Sequence, residues 1–188
     1  MKVLIMSQHS SQTIQSLSRL MKRLVLVLAA GIAFAVIYVL WLLSFDQPAF
    51  ADLVKANLFE EIPMTVSRTA VTALVLLGTV NLWIAFSGLS AVWHLFDGFE
   101  RGDVFSARSG GLLRKAGFAA LIGAASTVMS RTLAVLIVTL GNPPGQKVLL
   151  VVFGTSEAFL LLVSVLLLVM GHVFRLAADI DAENRSFV

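Results

Sequence analysis

Residues 116–174 decide the fold and read AGFAALIGAASTVMSRTLAVLIVTL (116–140), GNPPGQK (141–147) and VLLVVFGTSEAFLLLVSVLLLVMGHVF (148–174). Each apolar run is long enough for a helix to cross a hydrocarbon core about 30 Å thick, which takes roughly 20 residues. The segment between them contains two prolines and two glycines, which do not continue a helix. The stretch therefore predicts two membrane-spanning helices, Ala116–Leu140 and Val148–Phe174, that form an antiparallel hairpin.

Two further apolar runs, Leu24–Leu43 and Ala70–Leu95, bring the number of predicted spans to four. Hydrophobic residues make up 58% of the chain and charged residues 13%, against about 25% charged in an ordinary soluble domain. An open sheet edge cannot face lipid, so helices are expected. The sequence predicts an all-α integral membrane four-helix bundle. Its membrane domain is residues 24–174, between a flexible cytoplasmic tail (1–23) and an amphipathic cytoplasmic tail (175–188).

Basic residues predict the orientation of the bundle. Most of the 14 Lys and Arg residues lie in three segments that a four-span arrangement places on one side. These residues are Lys2, Arg19, Lys22, Arg23, Arg101, Arg108, Arg114, Lys115, Arg175 and Arg185. The positive-inside rule places this side and both termini in the cytoplasm, and we expect the protein in the inner (plasma) membrane. Orientation thus accounts for the basic charge, and we expect contact with the lipid bilayer rather than direct contact with nucleic acid.

The segment between the first two spans predicts a short helix on the other side. Residues 44–68 mix acidic with apolar side chains, which is typical of an amphipathic helix on the membrane surface, and Pro63 is expected to end it. Ala49-Phe50-Ala51 has the small-x-small form of a signal-peptidase site. The apolar run before it exceeds the usual length of about 7–15 residues in a signal peptide, so we expect an uncleaved anchor.

Two ionisable residues lie inside the predicted hairpin. Arg131 and Glu157 are each thirteen residues from Pro144, so an antiparallel hairpin places them at one depth. A charge near the middle of a bilayer costs at least a few kcal/mol, which favours a partner inside the bundle. We predict a structural salt bridge or, alternatively, a proton- or ligand-responsive switch, with Asn81 as a third polar member.

Small and hydroxyl side chains at helical spacing predict the inward faces, because they let membrane helices approach closely. The predicted inward positions are Gly78, Asn81, Ala85 and Gly88 in the second span, Ala116, Ala120, Gly123 and Thr127 in the third, and Glu157, Ser164 and Gly171 in the fourth. No span contains a proline, which argues against a transporter with a binding site in a broken helix.

The loop between the second and third spans carries a motif, and Ser106 within it is predicted to cap the next helix. The run Arg101-Gly-Asp-Val-Phe-Ser106 is followed by Leu112, Leu113, Arg114 and Gly117. It resembles the signature G-x-x-F-s … L-r-x-i-G of the bacterial domain-of-unknown-function family 2975. The segment Phe174–Val188, with its Glu-Asn pair and final apolar residue, resembles that family's closing segment. The resemblance covers Leu20–Val188. It implies a small four-span membrane protein that is often encoded beside a small helix-turn-helix transcription factor, and therefore a partner rather than a reaction.

Together these features predict a non-catalytic multi-pass membrane protein that binds or sequesters a cytoplasmic regulatory protein. The expected binding surface combines the loop at 97–109 with the tail at 177–188. Its candidate residues are Val104, Phe105, Ile180, Glu183, Asn184 and Val188. The chain contains no cysteine and no hydrolase, zinc-protease or P-loop motif. No catalytic residue, metal ligand or cofactor is assigned on this interpretation.

The competing hypothesis is a haem-carrying or small-solute membrane protein that uses the polar bundle interior. His94 and His172 end the second and fourth spans at similar depth. Two histidines on facing helices can ligate haem axially, so these two residues are the haem candidates. The sequence leaves the oligomeric state open, a homo-oligomer included.

Overall fold

The computed structural model describes residues 2–58, 67–104, 106–143 and 145–186; the side chains of residues 2–15, 57–58 and 184–186 lie outside the described part. These ranges contain the helices α1 (Lys2–Phe45), α2 (Gln47–Leu58), α3 (Arg68–Glu100), α4 (Ala107–Thr139) and α5 (Thr155–Ser186). Four stretches within them are long and apolar enough to cross a membrane: Ser16–Phe45, Arg68–Glu100, Ala107–Thr139 and Thr155–Glu183. The predicted all-α fold with four long apolar helices is confirmed.

The first helix reaches further toward the N-terminus than the sequence predicts. We expect a poorly ordered tail up to Arg23, whereas α1 begins at Lys2. The sequence between Lys2 and Ala30 contains neither glycine nor proline, so no residue there interrupts the helix that continues from the apolar run. Ser18 within this segment is buried, so the extension is partly packed.

The short helix predicted after the first span is α2. Asp46 precedes it, and its Oδ1 accepts a hydrogen bond from the backbone N–H of Ala49 (3.1 Å), which is the contact that an N-cap residue makes. Phe50 is 5% exposed, so one side of α2 is packed. The helix ends at Leu58, and Pro63 lies outside the described residues.

The chain divides into two compact units. The first unit comprises Met1–Ala30, Ala85–Leu121 and Leu161–Val188, and the second comprises Gly31–Ile84 and Ile122–Leu160. In the first unit α4 and α5 approach closely at glycines. A Cβ atom on Gly110 would lie 2.8 Å from the carbonyl oxygen of Gly171, and one on Gly117 would lie 2.9 Å from Cγ of Leu168. Side chains larger than hydrogen would separate the two helices at these points.

The predicted inward positions are confirmed in part. Four of them are buried: Ala116, Glu157, Ser164 and Gly171. Gly78 and Thr127 are exposed, which corrects the prediction for these two positions. Thr127 donates its hydroxyl to the carbonyl of Gly123 on its own helix (2.9 Å). Because its hydroxyl is satisfied locally, this threonine can face lipid without a partner from another helix.

The second unit has buried residues at the C-terminal end of α4, where Val135, Val138 and Thr139 are inaccessible to solvent. The predicted turn follows directly. Gly145 has a φ angle of +93°, a left-handed conformation that glycine adopts without strain. The N–H of Gln146 donates to the carbonyl of Pro143 (3.1 Å) and closes the turn.

The chain after the turn is extended, which corrects the predicted start of the fourth span. The sequence predicts a helix from Val148, whereas α5 begins at Thr155. Oγ1 of Thr139 accepts the N–H of Val148 (3.3 Å), which holds this segment against α4, while its hydroxyl donates to the carbonyl of Val135 on its own helix (2.9 Å). Exposed and half-buried side chains alternate from residue 149 to residue 153, as in an extended chain. The sequence does not reveal this alternation of exposure, because all five of those side chains are apolar.

Candidate functional site

Glu157 caps the start of α5 and does not pair with Arg131. Its Oε2 accepts the backbone N–H of Gly154 (2.9 Å), as a glutamate at the third helical position does in a capping box. Glu157 is 4% exposed. Among the described residues, no ion pair within 4.0 Å joins Arg131 to Glu157. The predicted salt bridge is therefore wrong: the depth argument assumes a helix from Val148, but the chain remains extended up to Gly154.

Asn81, the third predicted polar member, bonds to another residue of α4. Its Nδ2 donates to Oγ of Ser130 (2.7 Å) and to the carbonyl of Leu77 (2.9 Å). Arg131 is half-buried and lines the same cleft between α3 and α4 as Asn81. Within the part of the chain that the structure describes, the guanidinium forms neither a hydrogen bond nor an ion pair. The structure thus brings Asn81 and Arg131 together, and Glu157 does not line their cleft.

The loop between α3 and α4 is held by backbone hydrogen bonds. The N–H of Asp103 donates to the carbonyl of Gly98 (3.0 Å), and that of Gly102 to the carbonyl of Phe99 (3.1 Å). With Gly102 at a φ angle of +86°, this is a Schellman motif. The predicted N-cap is confirmed, because Oγ of Ser106 accepts the N–H of Ser109 (3.1 Å). Of the two loop residues predicted to bind a partner, Val104 is half-buried and Phe105 lies outside the described residues.

A charged cluster joins α1 to α3 in the first unit. Nζ of Lys22 lies 2.9 Å from Oδ1 of Asp97 and 2.9 Å from Oε2 of Glu100, and 5.0 Å from the ring centre of Trp93. Arg101 pairs with the second oxygen of Asp97. Sequence reasoning alone misses this cluster. The signal that could reveal it is the spacing of Asp97 and Glu100, which places two carboxylates on one face of a helix.

Aromatic rings connect the end of α3 to α5 in the same unit. The rings of Phe99 and Phe174 stack with their centres 6.4 Å apart, and Phe96 meets Phe99 edge to face at 5.9 Å. Because Phe174 directly precedes the C-terminal segment of α5, this contact brings the base of the loop close to that segment. The loop and the tail, which the sequence assigns to one binding surface, therefore start from neighbouring helices.

The predicted amphipathic tail continues α5 as a helix to Ser186. Most positions on this part of α5 are exposed, and four of them share the spacing i, i+3, i+4, i+7: Leu176, Asp179, Ile180 and Glu183. We call these four residues the tail stripe. Ile180 is 59% exposed and Leu176 is 50% exposed. The side chain of Asn184, and all of Val188, lie outside the described residues.

The two histidines proposed as haem candidates are both exposed. His94 lies on α3 and His172 on α5. No group of three or more His, Cys, Asp or Glu side chains that could hold a metal ion occurs among the described residues.

The fold and the polar cleft define a class: a small all-α protein with four helices suited to a lipid environment and an arginine within one of them. A family profile described as Protein of unknown function (DUF2975) matches residues 46–186, which is more than half of the chain. The chain belongs to this family. The resemblance found in the sequence is thereby confirmed over that range. No curated protein and no solved structure shows a significant match to the chain.

Proposed function

We propose that this protein is a non-catalytic protein of the inner membrane that binds a cytoplasmic regulator of the helix-turn-helix class through the tail stripe. The observation that carries the proposal is the exposure of two large apolar side chains, Leu176 and Ile180, at helical spacing on α5. Positions i, i+3, i+4 and i+7 of an amphipathic helix are the anchors that a groove on a partner protein recognises.

The charge of the tail stripe supports a basic partner. Asp179 lies between the two apolar residues and is exposed, so the stripe presents a carboxylate beside Ile180. DNA-binding proteins carry clustered Lys and Arg on the surface that meets nucleic acid. A regulator held by its basic surface against this stripe is kept from DNA, which is sequestration at the membrane. The resemblance of the sequence to its family implies a helix-turn-helix protein encoded nearby. This favours a helix-turn-helix regulator over other partners.

Ile180→Lys is expected to abolish retention of the regulator on membranes. Lysine removes an apolar anchor and adds a charge that a basic partner repels. Loss of a central anchor costs about 2 kcal/mol or more, so we expect at least about a tenfold decrease in co-purified regulator. The measurement is quantitative mass spectrometry of a mild-detergent pull-down of the tagged full chain from its native host.

The matched control for this experiment is Ala182→Lys. Ala182 is exposed on the same helix but lies outside the tail stripe, so the same added charge should leave the amount of regulator unchanged. Two results contradict the proposal. One is a wild-type sample that contains no helix-turn-helix protein, and the other is equal retention by Ile180→Lys and Ala182→Lys.

The proposal requires the tail stripe to face the cytoplasm, and the cysteine-free sequence allows a direct test. Ala182→Cys is expected to react with a membrane-impermeant maleimide only after the plasma membrane is opened. Ala56→Cys, exposed on α2, is expected to react in cells whose plasma membrane is intact. The physical reason is the positive-inside rule, which keeps the basic loops in the cytoplasm. Labelling of Ala182→Cys in intact cells would overturn the cytoplasmic site.

A further inference from the structure

A cleft of about 540 Å³ lies between α3 and α4 within the second unit. This volume falls in the range of about 300–1,000 Å³ that is usual for small-molecule sites. Leu74 and Leu77 contribute apolar surface, and Ser130 and Arg131 contribute polar groups. Gly78 also lines the cleft and is exposed, so the cleft opens to the surroundings of the helices. In a membrane, those surroundings are lipid.

Arg131 is a charged residue within an apolar helix. It belongs to the apolar stretch Ala107–Thr139, eight residues before the end of α4, or about 12 Å along the helix axis. Among the described residues, no carboxylate lies within 4.0 Å of its guanidinium. A charge at that depth in a membrane is costly unless it is paired. An anion from outside the chain can supply the counter-charge.

Ser130 offers a second donor in the same cleft. Its Oγ accepts the Nδ2–H of Asn81, and within the described residues its own hydroxyl hydrogen has no acceptor. A carboxylate has two oxygens in one plane, so it can accept from the guanidinium and from a neighbouring hydroxyl together. The apolar remainder of the cleft then suits a hydrocarbon chain attached to that carboxylate.

We propose that the cleft between α3 and α4 binds a long-chain carboxylic acid from the membrane, with Arg131 as the counter-ion of its carboxylate. The depth of Arg131 favours this ligand over a phospholipid. Arg131 lies about 12 Å from the end of α4. One hydrocarbon leaflet is half of a core about 30 Å thick, so this distance is most of one leaflet. A single-chain acid can bring its small head to that depth, whereas a phosphodiester with its glycerol stays at the interface. The inference goes beyond the proposed function and does not depend on it.

The test is equilibrium binding of tritiated palmitate to the purified full-length protein in dodecyl maltoside micelles. We expect saturable binding that unlabelled palmitate displaces and that methyl palmitate, with the same chain and no charge, does not. Arg131→Gln should weaken binding at least about tenfold, because it removes a hydrogen bond to a charged group. Arg108→Gln is the matched control: Arg108 is an exposed arginine on the same helix that does not line the cleft, and its loss should leave binding unchanged.

A second variant keeps the guanidinium and fills the cleft instead. A Cβ atom on Gly78 would meet no atom within 4 Å, so Gly78→Leu can fold and is expected to abolish palmitate binding. Gly31→Leu is its control, since a Cβ there also meets no atom within 4 Å and Gly31 is not part of the cleft. Binding by Arg131→Gln equal to wild type would overturn the proposal. So would displacement of palmitate by phosphatidylglycerol at equal or lower concentration, which assigns the cleft to a phospholipid.

Discussion

Gly110→Ala is expected to lower the stability of the protein by about 1–3 kcal/mol, the cost of forcing a methyl group into a packed contact. The new Cβ atom would lie 2.8 Å from the carbonyl oxygen of Gly171 and 3.1 Å from the backbone nitrogen of Arg175. Both are backbone atoms, which cannot rotate away as a flexible side chain can. The helices α4 and α5 must therefore separate locally and lose the contacts that hold membrane helices together.

The neighbouring residue provides the control for this prediction. A Cβ atom on Gly111 would meet no atom within 4 Å, so Gly111→Ala should fold normally. Alanine is favoured over glycine in a helix by roughly 1 kcal/mol, so this variant should be as stable as wild type or slightly more stable. The measurement is thermal unfolding in detergent, followed by circular dichroism. Equal Tm changes in the two variants would show that the close approach of α4 and α5 does not limit stability.

Thr139→Val is expected to have the second large effect. It should lower the stability of the protein by about 1–3 kcal/mol, because buried polar groups are left without a partner. Valine has nearly the same shape as threonine, so packing is conserved and only the hydroxyl is lost. Thr139 has no exposed surface; its hydroxyl oxygen accepts the N–H of Val148, and its hydroxyl hydrogen goes to the carbonyl of Val135. In lipid no water replaces these contacts. We expect the extended segment after the turn to detach from α4.

Thr132→Val distinguishes this role from a general effect of threonine on the helix. Thr132 lies on the same helix, and its hydroxyl donates to the carbonyl of Val128 (2.9 Å), a bond within α4 alone. Its replacement should therefore change stability less than replacement of Thr139. Hydrogen–deuterium exchange at residues 148–154 should rise in Thr139→Val and stay unchanged in Thr132→Val. Unchanged exchange in both variants would contradict a tethering role for Thr139.

The candidate site shows where sequence reasoning holds and where it stops. The helical spacing of the tail stripe follows from the sequence, because α5 carries no helix-breaking residue that ends it before Ser186. The predicted pairing of Arg131 with Glu157, in contrast, does not follow from the sequence. Equal spacing from a turn gives equal depth only if both arms are helical, and one arm is extended up to Gly154. The partner of Asn81 is likewise set by packing, since several hydroxyl residues on α4 have suitable spacing.

The sequence by itself determined the class of the protein. Long apolar runs are helices in a membrane, because only a helix satisfies every backbone group within its own segment. Small residues at helical spacing also marked the contact at Gly171. Only the tertiary structure decided the start of α5, the capping role of Glu157 and, among the described residues, the absence of a counter-ion at Arg131. A uniformly apolar segment has no pattern that separates a helix from an extended chain, so the hydroxyl of Thr139 and the N–H of Gly154 decide its conformation.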